Sequence, residues 1–142
     1  MDFFWIQRRL YHGFRRLAHP DASLVRRARF PGGQIPTKAD LPPDVAFEIH
    51  SPSDTPSYIQ RKRKDYKESG VIQVWLDLEK RLVELIYPDR PLQYFVQDQI
   101  LAIDTVPNFS LHLKQPYSIS IWLPSNSTET EVKTWTHQEW LS

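Results

Sequence analysis

Over residues 43–70 (PDVAFEIHSPSDTPSYIQRKRKDYKESG) the spacing of apolar and polar positions changes period once. Across residues 44–50, Val45, Phe47 and Ile49 alternate with Ala46, Glu48 and His50, which predicts a strand with one wholly apolar face. On its other face Glu48 and His50 project from the same side. Ser51-Pro52-Ser53-Asp54-Thr55-Pro56 is a polar turn, with Thr55 placed to cap a helix and Pro56 suited to its first position. The helix is expected to run to about Ser69, with Gly70 just past its end. With successive residues about 100° apart around Ile59, Arg63 and Tyr66 fall near the centre of the inner face. Lys62 lies at the margin of that face, within reach of the interior, while Arg61 and Lys64 point to solvent.

The same reading along the rest of the chain predicts mostly strands. Phe3, Ile6, Leu10 and Phe14 fall at helical spacing and allow a short amphipathic helix in residues 1–18, which Gly13 would break. Residues 21–26 read as a strand, with Pro20 tolerated at its edge. Residues 29–43 hold Pro31, Gly32, Gly33, Pro36, Pro42 and Pro43 and read as an exposed loop. Residues 71–77 and 81–87 are two strands whose short link predicts an antiparallel hairpin. Residues 92–97 are a weaker strand. Residues 100–103 and 109–113 are short edge segments, and 117–123 one more strand. The polar stretch 124–142, with isolated Trp, is expected to be poorly ordered. The units are thus a basic, aromatic segment 1–18, a core 19–115 and a tail 116–142.

Composition narrows the classes. A chain of 142 residues with 40% hydrophobic positions has the length of one domain and enough apolar surface for a core. It has no cysteine, so disulfides and thiolate metal sites are excluded, and a reducing, cytoplasmic setting fits. No apolar run approaches the roughly 20 residues needed to span a membrane, and Phe3-Phe4-Trp5-Ile6 is too short for the apolar region of a signal peptide. The net charge of +1 hides an asymmetry. Residues 1–38 carry eight Lys/Arg against Asp2 and Asp21, and the remainder carries ten Lys/Arg against fifteen Asp/Glu. A basic N-terminal third suits a phosphate-bearing partner; a solvated arginine surface is the plainer account.

Glu48 raises the chemical question. A carboxylate in the middle of a strand is costly to bury unless it is paired, and a metal ion would remove that cost. Asp21, on a neighbouring strand about 4.8 Å away, is able to share such an ion with Glu48. Asp44 is the rival acid, but four residues along one strand separate it from Glu48 by roughly 13 Å, too far to share an ion bound about 2.1 Å from each oxygen. Two carboxylates suit a hard cation such as Mg²⁺, which polarises a phosphodiester oxygen and activates water. Lys62 would stabilise the developing charge. Each residue also has a simpler role: Asp21 and Asp44 as strand-start residues, Glu48 as the ion-pair partner of a helix cation, Lys62 as part of a solvated charge run, and His50 as a satisfied strand histidine.

The motif PDVAFEIHSPSDT, followed by a helix ending K-R-x-D-Y-x-x-x-G-V and then VWL-D, resembles the Uma-type family within the PD-(D/E)XK nuclease superfamily. HPDASLVRRARFPGG matches upstream, so the resemblance covers about residues 13–113. It implies an α/β, restriction-endonuclease-like mixed β-sheet flanked by helices. It also implies Asp21 and Glu48 as metal-binding acids, with Lys62 on the helix replacing a lysine that would otherwise stand at His50. The implied activity is Mg²⁺-dependent (or Mn²⁺-dependent) cleavage of DNA in bacteria. Cutting both strands would favour a homodimer. Three departures qualify the match. Residues 1–18 lack the family's upstream helices and Glu-bearing strand, so part of the N-terminal helical layer is expected to be missing. Trp75-Leu76-Asp77-Leu78 is one residue short, which reverses the facing of the residues beyond it unless a bulge or the turn absorbs the change. The ending after Gln115 is unrelated. A truncated descendant is therefore the expectation, with a non-catalytic remnant that binds nucleic acid or a protein partner through its basic third as the alternative.

Overall fold

The structure, a computed structural model, describes residues 3–7, 20–34, 41–114, 118–125 and 128–136. Six strands form one sheet in chain order: β1 (Phe3–Gln7), β2 (Ala22–Arg26), β3 (Val45–Ile49), β4 (Ile72–Asp77), β5 (Leu82–Ile86) and β6 (Gln93–Val96). β3 and β4 are parallel and every other neighbouring pair is antiparallel. A parallel pair needs a crossover, and α1 (Pro56–Glu68) supplies it. Four further strands, β7 (Ile100–Ile103), β8 (Val106–Lys114), β9 (Ser118–Ser125) and β10 (Thr128–Thr136), form an antiparallel sheet in the order β7-β8-β9-β10.

The alternation in β3 decides the layering. Val45 and Phe47 share one core with Leu24, Val74, Leu76, Val83 and Leu85 of the first sheet and Leu101, Ile103, Val106, Phe109, Leu111, Leu113 and Ile121 of the second. The Phe47 and Phe109 rings meet at 5.9 Å. On the opposite face, Ala46 and Trp75 pack with Tyr66 and Val71, flanked by Ile59 and Ile86. The mixed sheet of an α/β fold is thus present. One face is covered by α1, and the other by a second sheet where flanking helices were expected.

The ends of α1 follow from local chemistry. Thr55 Oγ1 accepts the Tyr58 N–H at 3.2 Å, and Pro56 occupies the first turn. Gly70 takes φ +73°, a left-handed conformation that costs other residues roughly 1–2 kcal/mol, and Val71 N–H closes back on Tyr66 O at 2.9 Å. A 3-10 turn, Arg27–Arg29, leads from β2 into the 29–43 loop, and a second, Pro31–Gly33, lies within it; residues 35–40 lie outside the described residues.

Three expectations are corrected. Phe3–Gln7 is a strand, not the start of a helix, pairing with β2 from Phe3↔Arg26 to Gln7↔Ala22. Both its faces are covered: Phe3 and Trp5 belong to the main core, and Phe4 and Ile6 to a cluster with Val25, Phe30 and Leu41. A strand apolar on both faces shows no period of two, so helical spacing arose by coincidence. Residues 8–19 lie outside the described set. Within the tail, Thr128–Thr136 is a strand paired to β9; the β-branched Thr128, Thr130, Val132, Thr134 and Thr136 at every second position suit an extended chain. Residues 109–113 belong to nine-residue β8, which lies between β7 and β9 rather than at an edge. The Leu76↔Val83 and Asp77↔Leu82 pairings run on without a bulge. The turn takes up the chain length there, with Arg81 at φ +54° and Lys80 N–H bound to Asp77 Oδ1 at 3.0 Å.

Candidate active site

Glu48 is the next-to-last residue of β3, opposite Trp75 of β4, with its side chain on the helix face. It is 3% exposed, and Lys62 is 7% exposed. The Lys62 ammonium lies 2.9 Å from both Glu48 oxygens. One helical turn on, the Tyr66 hydroxyl donates to Glu48 Oε1 at 2.6 Å. Spacing of four residues puts Lys62 and Tyr66 on one stripe of α1, so a single helix delivers both donors to one carboxylate. Lys62, at the margin of the inner face by angle alone, turns fully inward because its long chain reaches the buried acid.

Asp21 stands just before β2, where the antiparallel β2–β3 register brings it to the C-terminal end of β3. Its Oδ2 accepts the Ile49 N–H at 2.8 Å, and its charge bears on both Glu48 and Tyr66. Burial, more than any other influence, pushes the Glu48 carboxyl up to about 7; Asp21 adds to the rise, while Lys62 and the Tyr66 hydrogen bond oppose it. Burial and the Glu48 charge push the Tyr66 phenol far above its ordinary range, so it stays a donor.

The structure thus brings Asp21, Glu48 and Lys62 together and separates Asp44 from them. Asp44 lies at the other end of β3, where Oδ2 accepts from the Arg26 N–H at 2.7 Å and the Arg29 guanidinium at 2.9 Å. His50 packs its ring against Trp75 at 5.4 Å, and burial lowers its pKa. Tyr66 was placed on the inner face by its periodicity but not recognised as a partner of Glu48; the four-residue step from Lys62 was the available signal. The described arginines of the basic third are engaged within the fold. Arg26 donates to Thr105 O and lies over Phe3, Arg27 lies over Phe4, and Arg29 pairs with Asp44.

Among the described residues no three His, Asp or Glu side chains cluster as a metal site; the two acids that meet at this end of β3 are Asp21 and Glu48. Both are hard oxygen donors, the type that Mg²⁺ accepts while keeping several waters. A cation beside Glu48 would also offset the burial that disfavours its charge. Lys62 now occupies both Glu48 oxygens, so a cation binding Glu48 would share or displace that contact. Among the described residues no helix is long and apolar enough to cross a membrane.

Comparison with known proteins gives a consistent result. The crystal structure of a "putative nuclease belonging to DUF820" from Anabaena variabilis matches with a TM-score of 0.62 at 18% identity, over 73% of this chain and 61% of that one. The present chain therefore spans about three-fifths of that protein, and at this identity the likeness is one of fold. No curated protein matches. The family model for Uma2, described as "Putative restriction endonuclease", matches residues 4–114, taking in β1 as well as the strand–turn–helix unit and both acids. A match over that share of the chain, on a fold shared with a nuclease-like structure, makes the protein a member of the Uma2 family.

Proposed function

We propose that the protein is a Mg²⁺-dependent DNA endonuclease that hydrolyses phosphodiester bonds, with Mn²⁺ as a competent substitute. The observation that carries this reading is the buried Glu48 carboxylate, bound on both oxygens by Lys62 and within the field of Asp21. A buried carboxylate is costly unless it is paired and hydrogen-bonded; Lys62 and Tyr66 meet that need here, and membership of a restriction-endonuclease-like family points to DNA as the substrate. Asp21 and Glu48 would hold the cation, which supplies polarisation of the phosphoryl oxygen and a more acidic bound water. Lys62 would then place its ammonium against charge developing on the phosphate. The Tyr66 hydroxyl, donating to Oε1, keeps the Glu48 carboxylate in one orientation. Cutting both strands of a duplex calls for two sites, which a homodimer would provide. The bacterial cytoplasm is the setting in which this chemistry would operate.

Purified protein is expected to nick supercoiled plasmid with Mg²⁺, to lose the activity with chelator, and to lose it in Glu48→Ala. Equal nicking by the variant would sink the reading. The occupied Glu48 oxygens, and the absence of a third acid from the site among the described residues, favour one alternative: a non-catalytic descendant that binds nucleic acid or a protein partner. Binding that weakens steeply with salt, without cleavage in any divalent cation, would select a nucleic-acid binder.

A further inference from the structure

Four large apolar side chains are exposed among the described residues: Tyr58, Tyr94, Val96 and Ile100. The last three lie on β6 and at the start of β7. Tyr58 is different in position. It stands in the first turn of α1, one turn before Lys62, and the Lys62 ammonium lies 5.3 Å from its ring centroid. The same ammonium holds Glu48. A single cation thus links the buried acid to an aromatic ring that is 40% exposed. Tyr58 is not in either apolar cluster on the helix face, so the core does not account for the ring. Its backbone N–H is held by Thr55, which fixes the turn that carries it.

Tyr58 presents an exposed ring beside the ammonium that holds Glu48, and an exposed aromatic ring is a surface on which a nucleobase stacks. Base–aromatic stacking works on an unpaired base, because in a duplex both faces of each base are already covered. We propose that Tyr58 is a specificity-determining residue that stacks an unpaired base next to the phosphate entering the Asp21–Glu48–Lys62 site. The preferred substrate is then single-stranded DNA or a duplex opened at the cleavage position. The inference rests on the nuclease reading for the identity of the ligand, but binding tests it without any cleavage.

The experiment measures fluorescence anisotropy of a labelled single-stranded oligonucleotide and of the same sequence as a blunt duplex. Both are titrated with the full chain in chelator, for the wild type, Tyr58→Ala and Tyr58→Phe, with circular dichroism to verify each fold. The wild type should bind the single strand more tightly than the duplex. Tyr58→Ala should weaken single-strand binding by about tenfold, as expected for one stacked base, and leave duplex binding nearly unchanged. Tyr58→Phe, which keeps the ring, should retain the preference. A merely structural ring would lower both affinities together, and that result overturns the proposal. So would Tyr58→Ala binding the single strand as the wild type does, or no wild-type binding to either oligonucleotide. Tyr58-dependent single-strand binding with no Mg²⁺-dependent cleavage would instead overturn the nuclease reading and leave the stacking role standing.

Discussion

Glu48 makes stability depend on pH in a direction opposite to that of an ordinary ion-paired carboxylate. Its pKa rises from 4.5 to about 7, chiefly through burial, despite the Lys62 contact. The folded state therefore holds the proton more tightly than the unfolded state. At 1.36 kcal/mol per pH unit, this amounts to roughly 3 kcal/mol of stability. The contribution is fully present below about pH 4.5 and is lost as pH rises through about 7. Urea denaturation between pH 4.5 and 8 measures it, with Glu48→Gln/Lys62→Met as the reference that removes both buried charges. The wild type should lose about 3 kcal/mol relative to this double variant across that range. The single Glu48→Gln is a poorer reference, because it leaves the Lys62 ammonium buried without its carboxylate. A difference that stays flat, or that grows in favour of the wild type with rising pH, would refute the reasoning. It would mean that the three hydrogen bonds to Glu48 outweigh its burial. In Mg²⁺ at pH 8 the wild type should recover part of the loss, because a ligand that binds only the folded state stabilises it.

Tyr66→Phe removes a buried hydrogen bond to a carboxylate and should cost about 2 kcal/mol in urea denaturation; it should also slow plasmid nicking more than it weakens DNA binding. Thr55→Ala deletes the N-cap of α1 and should cost about 1 kcal/mol, read as a lower urea midpoint with an unchanged slope. Asp44→Asn breaks the contact with Arg29 at the far end of β3. It should cost about 1 kcal/mol and retain Mg²⁺-dependent nicking, whereas Asp21→Asn should abolish it.

The strand–turn–helix unit was legible because its signals are local. Alternation in Val45–Ile49, the Thr55-Pro56 start and Gly70 past the end of α1 each depend on residues a few positions apart. The hairpin of β4 and β5 was legible for the same reason. Asp21 was preferred over Asp44 on strand geometry alone, and the structure does place Asp21 beside the end of β3 and Asp44 with Arg29. Tertiary structure decided the remainder. Phe3–Gln7 is extended because the edge of β2 offers backbone partners and two cores receive its side chains; periodicity within the segment carries no trace of either. The second sheet, and with it the role of β8 and β10, depends on pairings between strands that are individually weak. Most of all, the sequence leaves open whether Lys62 belongs to a solvated charge run or to an acid 14 residues away. Only the packing of α1 against β3 chooses, because the carboxylate buried on that face is met there by the Lys62 ammonium and the Tyr66 hydroxyl.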